Sequence, residues 1–179
     1  DEYEEWLKNL KIKPLQYADI AEGQSLDAFL GIDSGSTTTK FVVTDHEGRI
    51  IFKSYSNNDG NPLRKVEEAL RQFLSLVADK HATVTFRGSA VTGYGEDLVK
   101  AALNLDYGIV ETMAHFRAAH YVNPAVSFIL DIGGQDIKSI FIRNGAVANI
   151  ELNESCSSGC GSFLQGFAGM MNIKLPDFA

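Results

Sequence analysis

The sequence predicts an α/β protein in which a mixed sheet is flanked by helices and is followed by the start of a second, duplicated half-domain. Three observations predict this class. Consecutive strands come first and helix–strand crossovers follow them, a second set of strands begins after Pro124, and both sets open with an apolar strand, an Asp-x-Gly turn and another strand. Such a repeat indicates two related half-domains that face each other.

The first elements are a charged leader and three strands. Residues 1–27 have no apolar period, so they are predicted as a helical leader and linker. Strands follow at 28–33, 40–44 and 49–55, and the string DHEG at 45–48 supplies a hairpin turn. Short turns between consecutive strands predict an antiparallel meander.

Helices and crossovers complete a first half-domain at 28–124. Apolar residues spaced by three and four predict a helix over 62–80 with Pro in its first turn. A strand at 83–87 follows, and the glycines of TGYG lead into a second helix. A short strand and a helix ended by Pro124 come next.

A second half-domain, also with a strand at its start, is predicted at 125–179. A buried strand is expected at 126–131 and a hairpin turned by Asn-Gly at 137–143 and 146–152. A helix rich in small residues follows at 159–171.

Composition excludes several classes of function. The 179 residues are 45% apolar and carry a formal charge of -7, which allows a real core. The 16 basic residues are scattered among 23 acidic ones, so no nucleic-acid partner is expected. No apolar run approaches the roughly 20 residues of a membrane span, and the start, DEYEEWLKNL, is acidic where a signal peptide is basic. We therefore expect a cytoplasmic protein without a membrane partner.

The strongest motif is the repeated turn in FLGIDSGSTTTKFVV and FILDIGGQDIKSIFI. Asp33 and Asp131 end the two strands, and in both copies a Gly follows two positions later and a Lys seven positions later. Gly lets backbone N–H groups approach a ligand, which suits phosphate oxygens, and a strand-end Asp can hold Mg²⁺ or its waters. One copy alone would be read as a tight turn, whereas two facing copies predict a clamp for the β and γ phosphates of a nucleotide.

These motifs resemble a known family. GIDSGSTTTK and DIGGQDIKSIFI are similar to the two phosphate motifs of the actin, hexokinase and Hsp70 ATPase superfamily, whose halves are ribonuclease-H-like. With TGYG, ETMAH and NESCSSGCG, they resemble the BadF/BadG/BcrA/BcrD type, the ATP-dependent activators of 2-hydroxyacyl-CoA dehydratases and the ATPase subunits of benzoyl-CoA reductase. The likeness spans about residues 29–171.

The resemblance implies an ATP- and Mg²⁺-dependent homodimer that passes a low-potential electron to a dehydratase or a benzoyl-CoA reductase-like component. One [4Fe-4S] cluster would lie at the dimer interface with two cysteines from each subunit, and Cys156 matches the first of these. The second family cysteine and the adenosine-binding half fall beyond residue 179. NESCSSGCG, preceded by the helical leader and linker, more closely resembles the very long members in which such modules are fused to dehydratase-like regions, which implies an internal piece of a larger polypeptide.

Three groups of candidate site residues follow. Catalytic candidates are Asp33, Asp131 and Gln135; phosphate-binding candidates are Gly35, Ser36, Thr37, Lys40, Gly133, Gly134 and Asp136; metal candidates are Asp33 for Mg²⁺ and Cys156 and Cys160 for iron. The family has Thr in place of Cys160, so Cys160 is either a substitute ligand or a small residue in the turn. Both cysteines alternatively pack where glycines bring backbones together.

Two other functions remain open at this point. A small-molecule kinase on the same scaffold would need a pocket for an acceptor substrate, and a degenerate ATPase module would serve only for dimerisation or docking. Glu111 and His115 lie four apart on a predicted helix without a third ligand at metal spacing, so a helix-surface hydrogen bond is expected there rather than zinc.

Overall fold

The computed structural model describes residues 14–133, 136–153 and 161–174. The contacts divide the chain into two units, of which the first is Pro14–Ala114 and the second contains His115–Ala179. Residues 1–13 of the predicted leader and linker, together with Cys156 and Cys160, lie outside the described residues.

The first unit is built on a mixed five-stranded sheet. Its strands have the order β3-β2-β1-β4-β5. β1 pairs antiparallel with β2 and β2 with β3, while β4 runs parallel to both β1 and β5. The elements are β1 Ser25–Ser34, β2 Thr38–Asp45, β3 Ile50–Asn57, α1 Pro62–Asp79, β4 Thr83–Thr92, α2 Glu96–Leu103 and β5 Tyr107–Gly108.

The core of this unit follows from two periodicities. Alternate residues of β1 are buried, as expected for a strand with one face on a core. One stripe of α1, formed by Val66, Ala69, Phe73 and Val77, is buried in the same cluster. The start of α1 is fixed by Pro62 and by the Asn61 side chain, which accepts a hydrogen bond from the Arg64 N–H at 3.0 Å.

The second unit has an antiparallel sheet in the order β6-β7-β8. Its elements are β6 Phe128–Ile132, β7 Ile137–Arg143, β8 Ala146–Asn153 and α4 Gly161–Met170. A helix, α3 Glu111–Val122, contains the unit boundary, and its Phe116 is buried with Ile140 and Ile142. The contact boundary lies earlier than the predicted one at 124/125, and the predicted domain bounds stay a prediction.

The predicted fold class is confirmed, with one instructive difference in β4. The strand predicted at 83–87 continues to Thr92. Gly88 lies within the strand and leaves room for the Phe29 ring, since a Cβ at Gly88 would lie 3.2 Å from Phe29 Cδ1. A register irregularity after Ala28 accommodates this contact, and β4 then continues until Thr92 pairs with Asp33.

No helix among the described residues combines the length and apolar character that crossing a bilayer requires.

Candidate phosphate-binding site

The first Asp-x-Gly turn joins β1 to β2. Asp33 and Lys40 face each other in the strand register, and Lys40 Nζ lies 2.9 Å from Asp33 Oδ2. The Gly35 N–H donates to the Thr38 carbonyl at 3.0 Å, which closes the turn. Ser36 and Thr37 at its tip are exposed, and their hydroxyl oxygens lie 3.5 Å apart. The tip therefore presents two hydroxyls beside an ion pair.

The second turn, between β6 and β7, has the same backbone arrangement. Asp131 and Lys138 face each other in the register, and the Gly133 N–H donates to the Asp136 carbonyl at 2.9 Å. The repeat seen in the sequence is therefore also a repeat of backbone geometry. Gly134 and Gln135, at the tip, lie outside the described residues.

The side chains of the second turn pair differently. Lys138 Nζ lies 3.2 Å from Asp136 Oδ2, so the lysine contacts the acid that follows the turn. Asp131 Oδ2 instead lies 2.6 Å from Nδ1 of His115, which projects from α3. The expected helix-surface role of His115 is thus replaced by a bond to a candidate catalytic carboxylate, which fixes the orientation of that carboxylate.

The N–H groups of the two turn glycines make hydrogen bonds inside the turns. In this structure both N–H groups donate within their own turns, and the phosphate-binding role of Gly35 and Gly133 stays a prediction. Both glycines leave space within their turns, since a Cβ at Gly35 would lie 3.1 Å from the Thr38 carbonyl oxygen and one at Gly133 would meet Asp136 Oδ1.

The TGYG segment, which begins with the last residue of β4, packs against the first turn. The Gly95 N–H donates to the Ser34 carbonyl at 2.8 Å. Gly93 has φ +92°, and a Cβ there would lie 2.7 Å from the Ser34 carbonyl oxygen and 2.8 Å from Asp33 Oδ1. Only glycine fits both the conformation and the space.

Asn58 is a residue of this site that sequence reasoning missed. It follows β3, is 3% exposed, and donates from Nδ2 to the Gly35 carbonyl at 2.7 Å. The local signal was only an Asn in the loop string NNDGNP, which is also typical of an ordinary turn.

Three polar atoms near the strand ends support a ligand at the first turn. Asp33 Oδ1, Ser34 Oγ and Thr92 Oγ1 are buried, and no hydrogen-bond partner for them exists within the described part of the chain. An unsatisfied buried polar group costs about 1–3 kcal/mol, and more when charged. Mg²⁺ prefers oxygen ligands, so Asp33 and its neighbours fit a Mg²⁺–phosphate group.

One backbone hydrogen bond links the second turn to the helix that follows the predicted cysteine segment. The Gly161 N–H, at the start of α4, donates to the Gly133 carbonyl at 2.9 Å. The helix that follows Cys160 in the sequence therefore begins beside this turn.

A mixed sheet with helices and a repeated strand–Asp-x-Gly–strand turn defines the class of actin-like ATPases. Residues 30–178 match the model of the BadF/BadG/BcrA/BcrD ATPase family, and the chain belongs to that family. The resemblance inferred from the motifs is confirmed.

Two relatives illustrate the similarity. The (R)-2-hydroxyglutaryl-CoA dehydratase activating ATPase of Acidaminococcus fermentans is 31% identical over 153 residues, covering 84% of this chain and 56% of the relative. The crystal structure of component A of that dehydratase superposes with a TM-score of 0.67 at 29% identity, covering 84% of this chain and 56% of the other.

The second relative is the activator of the 2-hydroxyisocaproyl-CoA dehydratase from Clostridium difficile, solved with bound ADPNP. It has a TM-score of 0.68 at 28% identity, covering 83% of this chain and 53% of the other. The chain thus spans about half the length of these relatives, which are activators of 2-hydroxyacyl-CoA dehydratases.

Proposed function

We propose that this chain is the ATP-binding and ATP-hydrolysing module of a protein that activates a 2-hydroxyacyl-CoA dehydratase or a benzoyl-CoA reductase-like enzyme. The observation that carries the proposal is the repeated Asp-x-Gly turn, closed in both copies by the same glycine N–H bond. Membership of an ATPase family and the ADPNP bound to a similar activator support it.

The first turn would bind phosphate and Mg²⁺. Ser36 and Thr37 supply exposed hydroxyls at its tip, and Lys40 adds a positive charge beside Asp33. Asp33 is the proposed Mg²⁺ ligand, because its Oδ1 is buried without a partner among the described residues. Bound Mg²⁺ would neutralise charge that develops on the phosphate oxygens.

The second turn would orient the attacking water. Asp131 is the candidate for this role, and its bond to His115 holds the carboxylate in one orientation. Gly134, Gln135 and Asp136 are the other proposed residues of the turn. Since hydrolysis needs only water, no acceptor substrate is required.

ATP hydrolysis would be coupled to electron transfer through a [4Fe-4S] cluster. Such a cluster takes four thiolates and the sequence has two cysteines, so the other ligands would come from a second copy of the chain or from residues outside this sequence. Cys156 is the proposed ligand, and Cys160 is either a second ligand or a residue of the turn. When bound, the cluster would supply the low-potential electron for the partner enzyme.

The role of Asp131 is tested with Asp131→Asn in the full-length protein. We expect ATP hydrolysis to fall about 10²- to 10⁴-fold, the contribution of a positioned general base, while ATP affinity changes much less. Phosphate release and ATP titration measure the two quantities. Asp79→Asn, an exposed change of the same charge at the end of α1, should leave both unchanged.

Three results would contradict the proposal. Wild-type turnover in Asp131→Asn would remove Asp131 from the mechanism. ATP consumption that depends on an added sugar or acid acceptor would identify a small-molecule kinase. If the full-length protein did not bind ATP, the remaining hypothesis would be a module for dimerisation or docking.

A further inference from the structure

Asn58 contacts the first turn through both its side chain and its backbone. Its Nδ2 donates to the Gly35 carbonyl at 2.7 Å, and its backbone N–H donates to the Thr37 carbonyl at 2.9 Å. Two carbonyl groups of the exposed tip are therefore held by one residue from the loop after β3. Asn58 is 3% exposed, so water has little access to these hydrogen bonds.

The orientation of the Asn58 amide is fixed from its other end. Thr39 Oγ1 donates to Asn58 Oδ1 at 2.6 Å, and Thr39 is itself 2% exposed. Because Oδ1 accepts from Thr39, Nδ2 must face Gly35. The pair therefore forms a buried brace, in which Thr39 orients Asn58 and Asn58 orients the turn.

The brace determines the direction of one N–H group. A trans peptide is planar, and its C=O and N–H point in opposite directions. The Gly35 carbonyl points at Asn58, so the Ser36 N–H in the same peptide points away from Asn58. The Gly35 N–H, in contrast, donates to Thr38 inside the turn. The Ser36 N–H is thus positioned as a donor at the tip.

We propose that Asn58 is a positioning residue for phosphate binding, which fixes the Gly35–Ser36 peptide so that the Ser36 N–H donates to a phosphate oxygen of ATP. This inference rests on the proposed ATP binding. Asn58 itself would not contact the nucleotide. It orients the Gly35–Ser36 peptide, whose N–H would make the contact. Its effect should therefore be confined to the part of the binding that depends on phosphate.

The test compares Asn58→Asp with Asn57→Asp in the full-length protein. Asp keeps the shape of Asn58 and can still accept from Thr39, but it has no donor for the Gly35 carbonyl. Asn57 is the exposed neighbour, so its substitution adds the same charge without touching the brace. We expect the Kd for ATP to rise about tenfold in Asn58→Asp, as for loss of one hydrogen bond to a charged group, and less than threefold in Asn57→Asp.

Adenosine is the second probe, since it lacks phosphate. Its Kd should stay within about twofold of the wild-type value in both variants. Asn58→Ser, which is neutral and too short to reach Gly35, should repeat the selective loss of ATP affinity and serves if the Asp variant does not fold.

The outcomes separate this inference from the proposed function. Equal losses of ATP affinity in Asn58→Asp and Asn57→Asp, or equal losses of ATP and adenosine affinity in Asn58→Ser, would overturn the positioning role. Unchanged ATP affinity in the Asn58 variants would do the same while leaving the ATPase proposal intact. A wild-type protein that binds no ATP would overturn both.

Discussion

Asp45 shows how a single carboxylate organises a turn. Its Oδ1 accepts hydrogen bonds from the N–H groups of Glu47 and Arg49, both at 2.9 Å, and its Oδ2 accepts from Arg49 Nε at 2.6 Å. Burial alone would raise the pKa of Asp45, but the bonds from Arg49 and Glu47 together lower it below its usual 3.8. The ionised form is therefore favoured by folding.

This gives a pH-dependent prediction for stability. The folded-state pKa of Asp45 is depressed, so its stabilisation is fully present above pH 3.8 and is lost as the pH falls through the folded pKa. We expect Asp45→Asn to lower the free energy of unfolding by about 1–3 kcal/mol at pH 7. Urea unfolding should show a smaller difference from wild type at pH 3, and an equal difference at both pH values would contradict this account.

At the scale of elements, the TGYG segment matters because it brings the end of β4 and the start of α2 against the first turn. Thr92 pairs with Asp33 in the sheet, and Gly95 bonds to Ser34. Two elements distant in sequence therefore shape one turn. The contact depends on the absence of a side chain at Gly93.

Gly93→Ala and Gly60→Ala test this packing as a matched pair. Both glycines have positive φ, +92° and +78°, but a Cβ at Gly60 meets nothing within 4 Å. Gly60→Ala should cost about 1 kcal/mol from backbone strain alone, with ATP affinity unchanged. Gly93→Ala should cost about 1–3 kcal/mol more and weaken ATP binding, because the methyl group meets Ser34 and Asp33.

Urea unfolding and ATP titration of the full-length protein measure both effects. Equal destabilisation by the two substitutions would show that the close approach at Gly93 contributes nothing beyond its backbone conformation.

At the scale of the whole molecule, the proposed cluster needs thiolates beyond the two cysteines of this sequence, from a second copy of the chain or from residues outside this sequence. The sequence contains two cysteines, four positions apart, and an iron–sulfur cluster needs four thiolates. A two-fold dimer would bring the same residues of both chains to one axis. The second turn would be linked to this region through the bond from Gly161 to Gly133.

Anaerobic reconstitution of the full-length protein tests this assembly. We expect iron and sulfide to bind at one [4Fe-4S] cluster per dimer, with its EPR signal, and Cys156→Ala to abolish that signal because a thiolate ligand is lost. Cys160→Ala is the nearby change of the same type. Loss of the cluster signal in this variant would identify Cys160 as a second ligand, and an unchanged signal would identify it as a residue of the turn. An unchanged cluster signal in Cys156→Ala would show that Cys156 is not a cluster ligand.

Sequence periodicity was sufficient to predict most strands and helices, because the residues that an element buries recur at a short, regular spacing. The apolar stripe of α1, for example, predicted the burial that the structure shows. The end of β4 was not predicted in this way, because the strand continues past Arg87 by pairing with β1, which is distant in the sequence, as far as Thr92 opposite Asp33.

The sequence by itself determined the fold class, the two Asp-x-Gly turns and the family, since each depends on residues close together in the chain. Only the tertiary structure decided how those turns are supported. Asn58 reaches Gly35 across 23 positions, and His115 reaches Asp131 across 16. Neither bond can be recognised from a local sequence pattern, because the partners meet only after strands and helices have packed. The same packing showed that the turn glycines donate to their own turns, which leaves the Ser36 N–H as the proposed donor to phosphate.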